Sequence, residues 1–306
     1  MKKCVPTTKK QVLQFMEKCE LCPRKCGVDR QKNKGFCRVS DRITLGRAGL
    51  HFWEEPCISG YGGSGAIFFS GCNMGCIFCQ NMSLSRGEVG KEVTEKRLRE
   101  IFYELIDEGA DNINLVTPTH FVPEIVKALS AERLPVPVVY NTSSYEDVNT
   151  LRMLDGFVDI YLPDLKYKDS SLSAALSRAP DYYERAVPAI KEMVRQTGAP
   201  VFDDEGMMLK GTIIRHLVLP GYLNNTYDII DAFGENFNGR AMFSLMSQYT
   251  PPGTKLPYES LNRRLTEEEY EKAVDYMYLS GIEDGFLQEL SSAKEEYTPA
   301  FDLTGI

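Results

Sequence analysis

The stretch Ala66 to Asn81 reads AIFFSGCNMGCIFCQN. An apolar, strand-like run, AIFFS, stops at Gly71, and Cys72, Cys76 and Cys79 follow at once in the spacing C-x3-C-x2-C. Three thiolates this close can ligate three irons of a cubane [4Fe–4S] cluster and leave the fourth iron without a protein ligand. An open metal position is where chemistry happens, whereas a closed one is structural. The alternative is three buried thiols that happen to be neighbours. The aromatic Phe78 just before the last cysteine and the strand just before the first both favour the cluster.

Outward from that stretch the chain alternates. Strands are expected at 66–70, 112–116, 136–140, 158–162, 212–219 and 241–246. Helices are expected at 94–108, 121–131, 146–154, 170–197 with a break near Pro180, 228–233 and 266–279. The sequence DDEG within 199–209 suggests a hairpin, and GFLQEL one more strand. Alternating strand and helix predicts a parallel sheet with right-handed crossovers. The fold class is therefore α/β, with six units making a partial (β/α)6 barrel. The expected organisation is a cysteine-rich extension over 1–60, the barrel over 61–252 and a C-terminal appendage over 253–306. The run GYGGSG precedes a strand rather than opening a helix, so it is not a nucleotide loop. It reads instead as a flexible approach to the barrel.

Active sites of β/α barrels lie at the C-terminal ends of the strands. Each expected strand end here carries polar residues: the three cysteines, then Thr117-Pro118-Thr119-His120, Asn141-Thr142-Ser143-Ser144 and Asp164-Leu165-Lys166. Arg215-His216 and Ser247-Gln248-Tyr249 complete the set. Singly these are turn signals, a strand-end salt bridge or a core histidine; together they form a ring around the cluster mouth. Upstream, HFWEEP supplies Glu54 and Glu55 as substrate-side candidates, with His51 read as a packing residue beside Trp53.

A second array lies near the start. CELCPRKCGVDRQKNKGFC places Cys19, Cys22, Cys26 and Cys37 in the spacing C-x2-C-x3-C-x10-C. Four thiolates make a closed site, either tetrahedral zinc or a fully ligated [4Fe–4S] cluster. An iron–sulfur cluster is preferred as a redox partner for the first. Cys4 and Cys57 read as ordinary thiols, and residues 8–18 as a short amphipathic helix.

Nine cysteines in a chain with no apolar export signal point to a cytoplasmic protein with metal or redox chemistry rather than disulfides. No run is long enough to span a membrane. The net charge of −8 speaks against nucleic-acid binding. Residues 1–50 nevertheless carry 13 Lys or Arg against 4 Asp or Glu. That excess either offsets thiolates held there or forms a docking face for an acidic partner, and the first is preferred.

The strings GCNMGCIFCQN, YLPDLK and RHLVLPG resemble the radical S-adenosylmethionine (SAM) superfamily. Within it they resemble the activating enzymes of pyruvate formate-lyase and other glycyl-radical enzymes, and most of all an uncharacterised branch carrying CELCPRKCG and HFWEEPCISG. The resemblance implies that Cys72, Cys76 and Cys79 ligate a [4Fe–4S] cluster whose open iron takes the amino and carboxylate groups of SAM. It places the Phe78 backbone against the adenine and Lys166 against the SAM carboxylate. Thr117, Thr119, His120, Asn141, Ser143, Asp164, Arg215 and Tyr249 would make the remaining SAM contacts. Three positions depart from the activase pattern: Pro118-Thr119-His120 replace a Gly-Gly-Glu motif, Asn141 replaces an acid and Tyr249 a histidine. The implied reaction is reductive cleavage of SAM to methionine and a 5′-deoxyadenosyl radical, which abstracts hydrogen from a C–H bond. The implied partners are an electron donor such as flavodoxin or ferredoxin and a protein or peptide substrate. Alternatives are a small-metabolite substrate, a non-enzymatic iron–sulfur electron carrier or scaffold, and a zinc-knuckle nucleic-acid binder.

Overall fold

The structure is a computed structural model that describes residues 17–290 and 299–306. The expected 8–18 helix and Cys4 fall almost wholly outside the described residues. Ten strands build the sheet: β1 (Thr44–His51), β2 (Ser64–Phe69), β3 (Lys91–Glu92), β4 (Asn112–Val116), β5 (Val138–Thr142), β6 (Ile160–Pro163), β7 (Val201–Phe202), β8 (Met208–Leu217), β9 (Met242–Met246) and β10 (Gly285–Leu287). Their order is β10-β9-β8-β6-β5-β4-β2-β1-β3, with β7 pairing on β8. From β2 to β10 along that path every neighbouring pair is parallel. The six expected strands are present in the expected order, and GFLQEL adds a seventh parallel strand.

The helices are α1 (Pro56–Ser59), α2 (Met82–Ser85), α3 (Glu95–Asp107), α4 (Val122–Leu129), α5 (Val148–Arg152), α6 (Ser170–Ser177), α7 (Tyr182–Thr197), α8 (Leu223–Asn236) and α9 (Glu267–Leu279). The crossover α3 shows why they form. Thr94 caps its first turn by accepting from the Arg97 N–H, and Leu98, Ile101, Phe102 and Leu105 form the stripe that it buries. Each of those side chains contributes about 1.5–3 kcal/mol by leaving water. The break expected near Pro180 separates α6 from α7, and DDEG turns the chain from β7 into β8 with Gly206 at φ 82°.

Two parts of the chain differ from expectation. TLGRAGLH is a strand, β1, antiparallel to β2 with Ala48 opposite Ile67; its two glycines and mixed polarity hid it. The residues 303–306 run beside it, with the Leu303 and Ala48 N–H groups donating to the Gly46 and Thr304 carbonyls. The GYGGSG run is packed rather than flexible. The Gly62 N–H donates to Asp111 Oδ2 at 2.9 Å. A Cβ on Gly62 would collide with the Gly109 carbonyl, so glycine is required where this turn meets the end of α3.

Side chains alternate along the parallel strands. One set meets the helices. The other faces the barrel interior, where Cys57 and Ile58 of α1 pack with Val139, Ile160, Leu162, Met208 and Ile213 to close the lower end. The interior above that apolar floor is polar, and there the site is built.

Candidate active site

The strand ends converge on a cavity of about 240 Å³. Cys72, Cys76, Cys79 and Phe78 line it from the β2 end, Thr117 from β4, Asn141 and Ser143 from β5, Asp164 and Lys166 from β6, and Arg215 from β8. Of the residues singled out for the SAM site, these ten come together and three do not. Thr119 is buried with its hydroxyl donating to Glu146 Oε1 at 2.6 Å. His120 is buried with Nε2 donating to the Ser70 carbonyl at 2.8 Å, and burial pushes its pKa down to about 3. The Tyr249 hydroxyl donates to the Leu261 carbonyl at 2.7 Å, and its ring packs 6.0 Å from that of Phe78. The reason for the first two is local. Thr117 takes φ 59° and Pro118 follows, so the chain turns into a single 3-10 turn and carries Thr119 and His120 away from the cavity. Arg215's neighbour His216 is a satisfied core histidine: its ring bonds the Leu165 carbonyl and the Thr226 hydroxyl, and burial lowers its pKa to about 4.

The cysteine loop is held from several sides. Gly71 and Gly75 take φ 85° and 64°, which lets the chain wrap back on itself. Asn73 Nδ2 donates to the Tyr145 carbonyl at 2.6 Å, the Ile77 N–H to the Leu176 carbonyl at 2.9 Å, and Gln80 to the Gln248 carbonyl at 2.9 Å. Two hydrogen bonds end on sulfur: Met74 N–H to Cys72 Sγ at 3.3 Å and Ser177 Oγ to Cys76 Sγ at 2.9 Å. Burial, followed by the neighbouring cysteines, raises the Cys72 thiol and pushes Cys79 up to about 12. Lys166 acts on Cys72 in the opposite sense. Donors already aimed at sulfur are what a thiolate ligand needs. Three sulfurs on one wall of a cavity, with no fourth cysteine lining it among the described residues, fit a cluster with one open iron.

Opposite the sulfurs lies a network of buried charge. Lys166 Nζ meets Asp164 Oδ2 at 2.6 Å, and Arg215 Nε meets Asp164 Oδ1 at 3.0 Å. Arg215 also donates to Asn141 Oδ1 at 2.6 Å and to Glu54 Oε2 at 3.0 Å. Burial alone would raise Asp164, but Lys166 and Arg215 hold it below the usual carboxylate range. The Glu54 side chain reaches this network from below the barrel, where its Oε1 also accepts from Asn114 and Asn141 at 3.1 and 3.3 Å. Asn114 was not anticipated. Its signal was present in NINLV, where two asparagines spaced i,i+2 put polar groups on one face of an otherwise apolar parallel strand.

The N-terminal array packs against this loop. Cys19 and Cys37 are buried, Cys22 half-buried and Cys26 exposed. A Cβ on Gly35 would touch the sulfurs of both Cys26 and Cys37. Burial raises Cys19 and Cys37 and pushes Cys22 up to about 12, and the other thiols of the array act on each of them in the same direction. The four thiols thus lie within one another's fields, with Arg30 opposing on Cys19 and Cys37. Arg24 ties the array to the loop. It donates to the Asn73 carbonyl at 2.8 Å and to the Ser177 carbonyl at 3.1 Å, with its guanidinium 4.0 Å from the Phe36 ring centre. Gly71 has no room for a side chain because the Cys37 carbonyl occupies that space.

With the geometry in place, the chain can be set beside known proteins. A family model described as a 4Fe-4S single cluster domain matches residues 58–171. The chain is 32% identical over 271 residues to the uncharacterized protein MJ0674 of Methanocaldococcus jannaschii, covering 85% of this chain and 74% of that one. In fold it is similar to SuiB of Streptococcus suis. The SuiB structure bound to S-adenosylmethionine gives a TM-score of 0.51 at 16% identity, over 75% of this chain and 51% of SuiB. The structure bound to the precursor peptide SuiA gives 0.53 at 17%, over 74% and 48%. This chain belongs to one family with MJ0674. It spans about half the length of SuiB, and at these identities the likeness to SuiB is one of fold. It presents its cysteine motif at the C-terminal end of the first parallel strand. No helix among the described residues is long and apolar enough to cross a membrane.

Proposed function

We propose that this protein is a cytoplasmic radical SAM enzyme that binds a [4Fe–4S] cluster on Cys72, Cys76 and Cys79 and SAM in the adjoining cavity, and that it acts on a C–H bond of a peptide or protein in the manner of a glycyl-radical activase. The observation that carries this reading is the facing pair of walls: three thiols on one side, and the Lys166–Asp164–Arg215–Glu54 network on the other. A [4Fe–4S] cluster held by Cys72, Cys76 and Cys79 would supply the single electron for reductive cleavage of the SAM carbon–sulfur bond.

The chain's own groups position and protect. Lys166, held by Asp164, offers an ammonium to the SAM carboxylate. The Thr117 and Ser143 hydroxyls and the Asn141 amide supply neutral hydrogen-bonding groups around it, and Phe78 forms the apolar side. Arg215, fixed by three acceptors, is a rigid positive edge rather than a mobile side chain. Such preorganisation limits the radical's reach to the carbon presented to it and keeps water out. An electron donor such as flavodoxin or ferredoxin would supply the electron. The array at Cys19, Cys22, Cys26 and Cys37 would hold a second cluster or a zinc ion. SuiB, which shares the fold, has been seen bound to a precursor peptide, and this supports a peptide substrate.

The test is SAM affinity in the iron-reconstituted protein. Lys166→Met should weaken SAM binding at least tenfold with iron content unchanged. Equal affinity in both proteins would overturn the role given to Lys166.

A further inference from the structure

Beside the cysteine-lined cavity lies a second chamber of about 300 Å³. The two share Trp53, Glu54, Arg215, Met246 and Gln248. The loop between β1 and α1 forms one side of this chamber, and β9 and β10 form the other through Ser244, Phe286 and Leu287. Among the described residues its lining includes the carboxyl groups of Glu54 and Glu55 and one cation, Arg215. That cation is already engaged by Asp164, Asn141 and Glu54. Glu55 makes none of those bonds.

Glu55 points to an occupant. The residue is 8% exposed, yet its Oε2 has no hydrogen-bond partner among the described residues. A buried carboxyl oxygen left unpaired is a cost that an arriving donor removes. Around it stand apolar surfaces, Phe52, Trp53, Met246 and Phe286, suited to an alkyl stem, and aromatic faces attract cations.

We propose that this chamber anchors the substrate by a cationic nitrogen at the end of an alkyl stem, with Glu55 as its acceptor. Its role as a substrate subsite rests on reading the cysteine-lined cavity as the SAM site; its preference for a cation does not. A lysine side chain of a peptide and a free alkylamine share this chemistry, and the experiment separates them.

Trp53 lines the chamber and is the chain's single tryptophan, so its emission reports occupancy without any turnover. The full-length protein is titrated with Nα-acetyl-lysine methylamide, its norleucine counterpart and n-butylamine. The proposal expects a saturable change with the capped lysine, at least tenfold weaker binding of the norleucine compound, and loss of that preference in Glu55→Gln. Capped lysine binding tenfold more tightly than n-butylamine identifies a peptide side chain; equal binding identifies a small amine. Norleucine binding as well as lysine, no saturable response to either cation, or a preference that survives in Glu55→Gln would overturn the proposal. Should Glu55→Gln fail to fold, the lysine–norleucine comparison in the unaltered protein decides alone. A protein that shows the preference but never cleaves SAM keeps this subsite and loses the radical reading. One that cleaves SAM without the preference does the reverse.

Discussion

The two cysteine arrays differ in what their sulfurs face. Cys72, Cys76 and Cys79 share a cavity with buried charge, whereas Cys26 and Cys37 flank Gly35 and Cys19 and Cys22 lie within the fields of the array's other thiols. The first arrangement lines a cavity; the second is packed against the cysteine loop. Spacing distinguishes three thiols from four, and the surroundings support the proposal that the first array reacts and the second holds a metal. Their contact through Arg24 and Gly71 means that the holding array also braces the reacting one.

Removing ligands tests that division most severely. Cys22→Ala/Cys26→Ala should lose all metal from the N-terminal array, with the stability it provides, yet keep the iron held by the other three cysteines. Metal analysis checks this and also separates zinc from iron; loss of every iron would show that the arrays are not independent. Next in size is Arg215→Met, which leaves Asp164 and Glu54 without their shared cation inside the barrel. Breaking a buried pair from one side costs about 3–5 kcal/mol, so urea denaturation should show a loss in that range. A loss under 1 kcal/mol would mean the network is more hydrated than its burial suggests.

Arg24→Ala probes the brace itself. It removes charge-assisted hydrogen bonds to the Asn73 and Ser177 carbonyls and a cation–aromatic contact, and about 1–3 kcal/mol is expected. It should also loosen the cysteine loop, seen as faster iron release to a chelator. A smaller effect comes from Glu124, which burial raises to about 7. A carboxyl raised on folding contributes stability that is full below its unfolded value and is lost as pH rises through about 7. Glu124→Gln should therefore flatten the fall in stability between about pH 5 and pH 8 by on the order of 1 kcal/mol. An unchanged slope would remove Glu124 from the account.

Much of the fold was legible because its strands are buried on both faces. Such strands appear as short apolar runs between helices, and Asn112–Val116 was read to the residue. The strand Thr44–His51 was not legible, because an antiparallel strand of mixed polarity carrying Gly46 and Gly49 lacks that signature. Strand-end position brought ten of the named residues to one cavity; it did not do so where the backbone turned sharply, after Thr117, or where a hydroxyl found a carbonyl, at Tyr249. The place of Glu54 was the hardest to foresee. It approaches from the lower end of the barrel to meet Arg215, 161 residues away, and no local pattern encodes that meeting.

The central claim is that the three-thiol array performs the first chemical step. Anaerobic reconstitution with iron and sulfide, reduction, addition of SAM and measurement of 5′-deoxyadenosine test it most directly. The intact protein should form 5′-deoxyadenosine slowly even without its substrate, and Cys76→Ala should form none. A cluster-loaded intact protein that never cleaves SAM, or a Cys76→Ala protein that cleaves it equally well, would contradict the account.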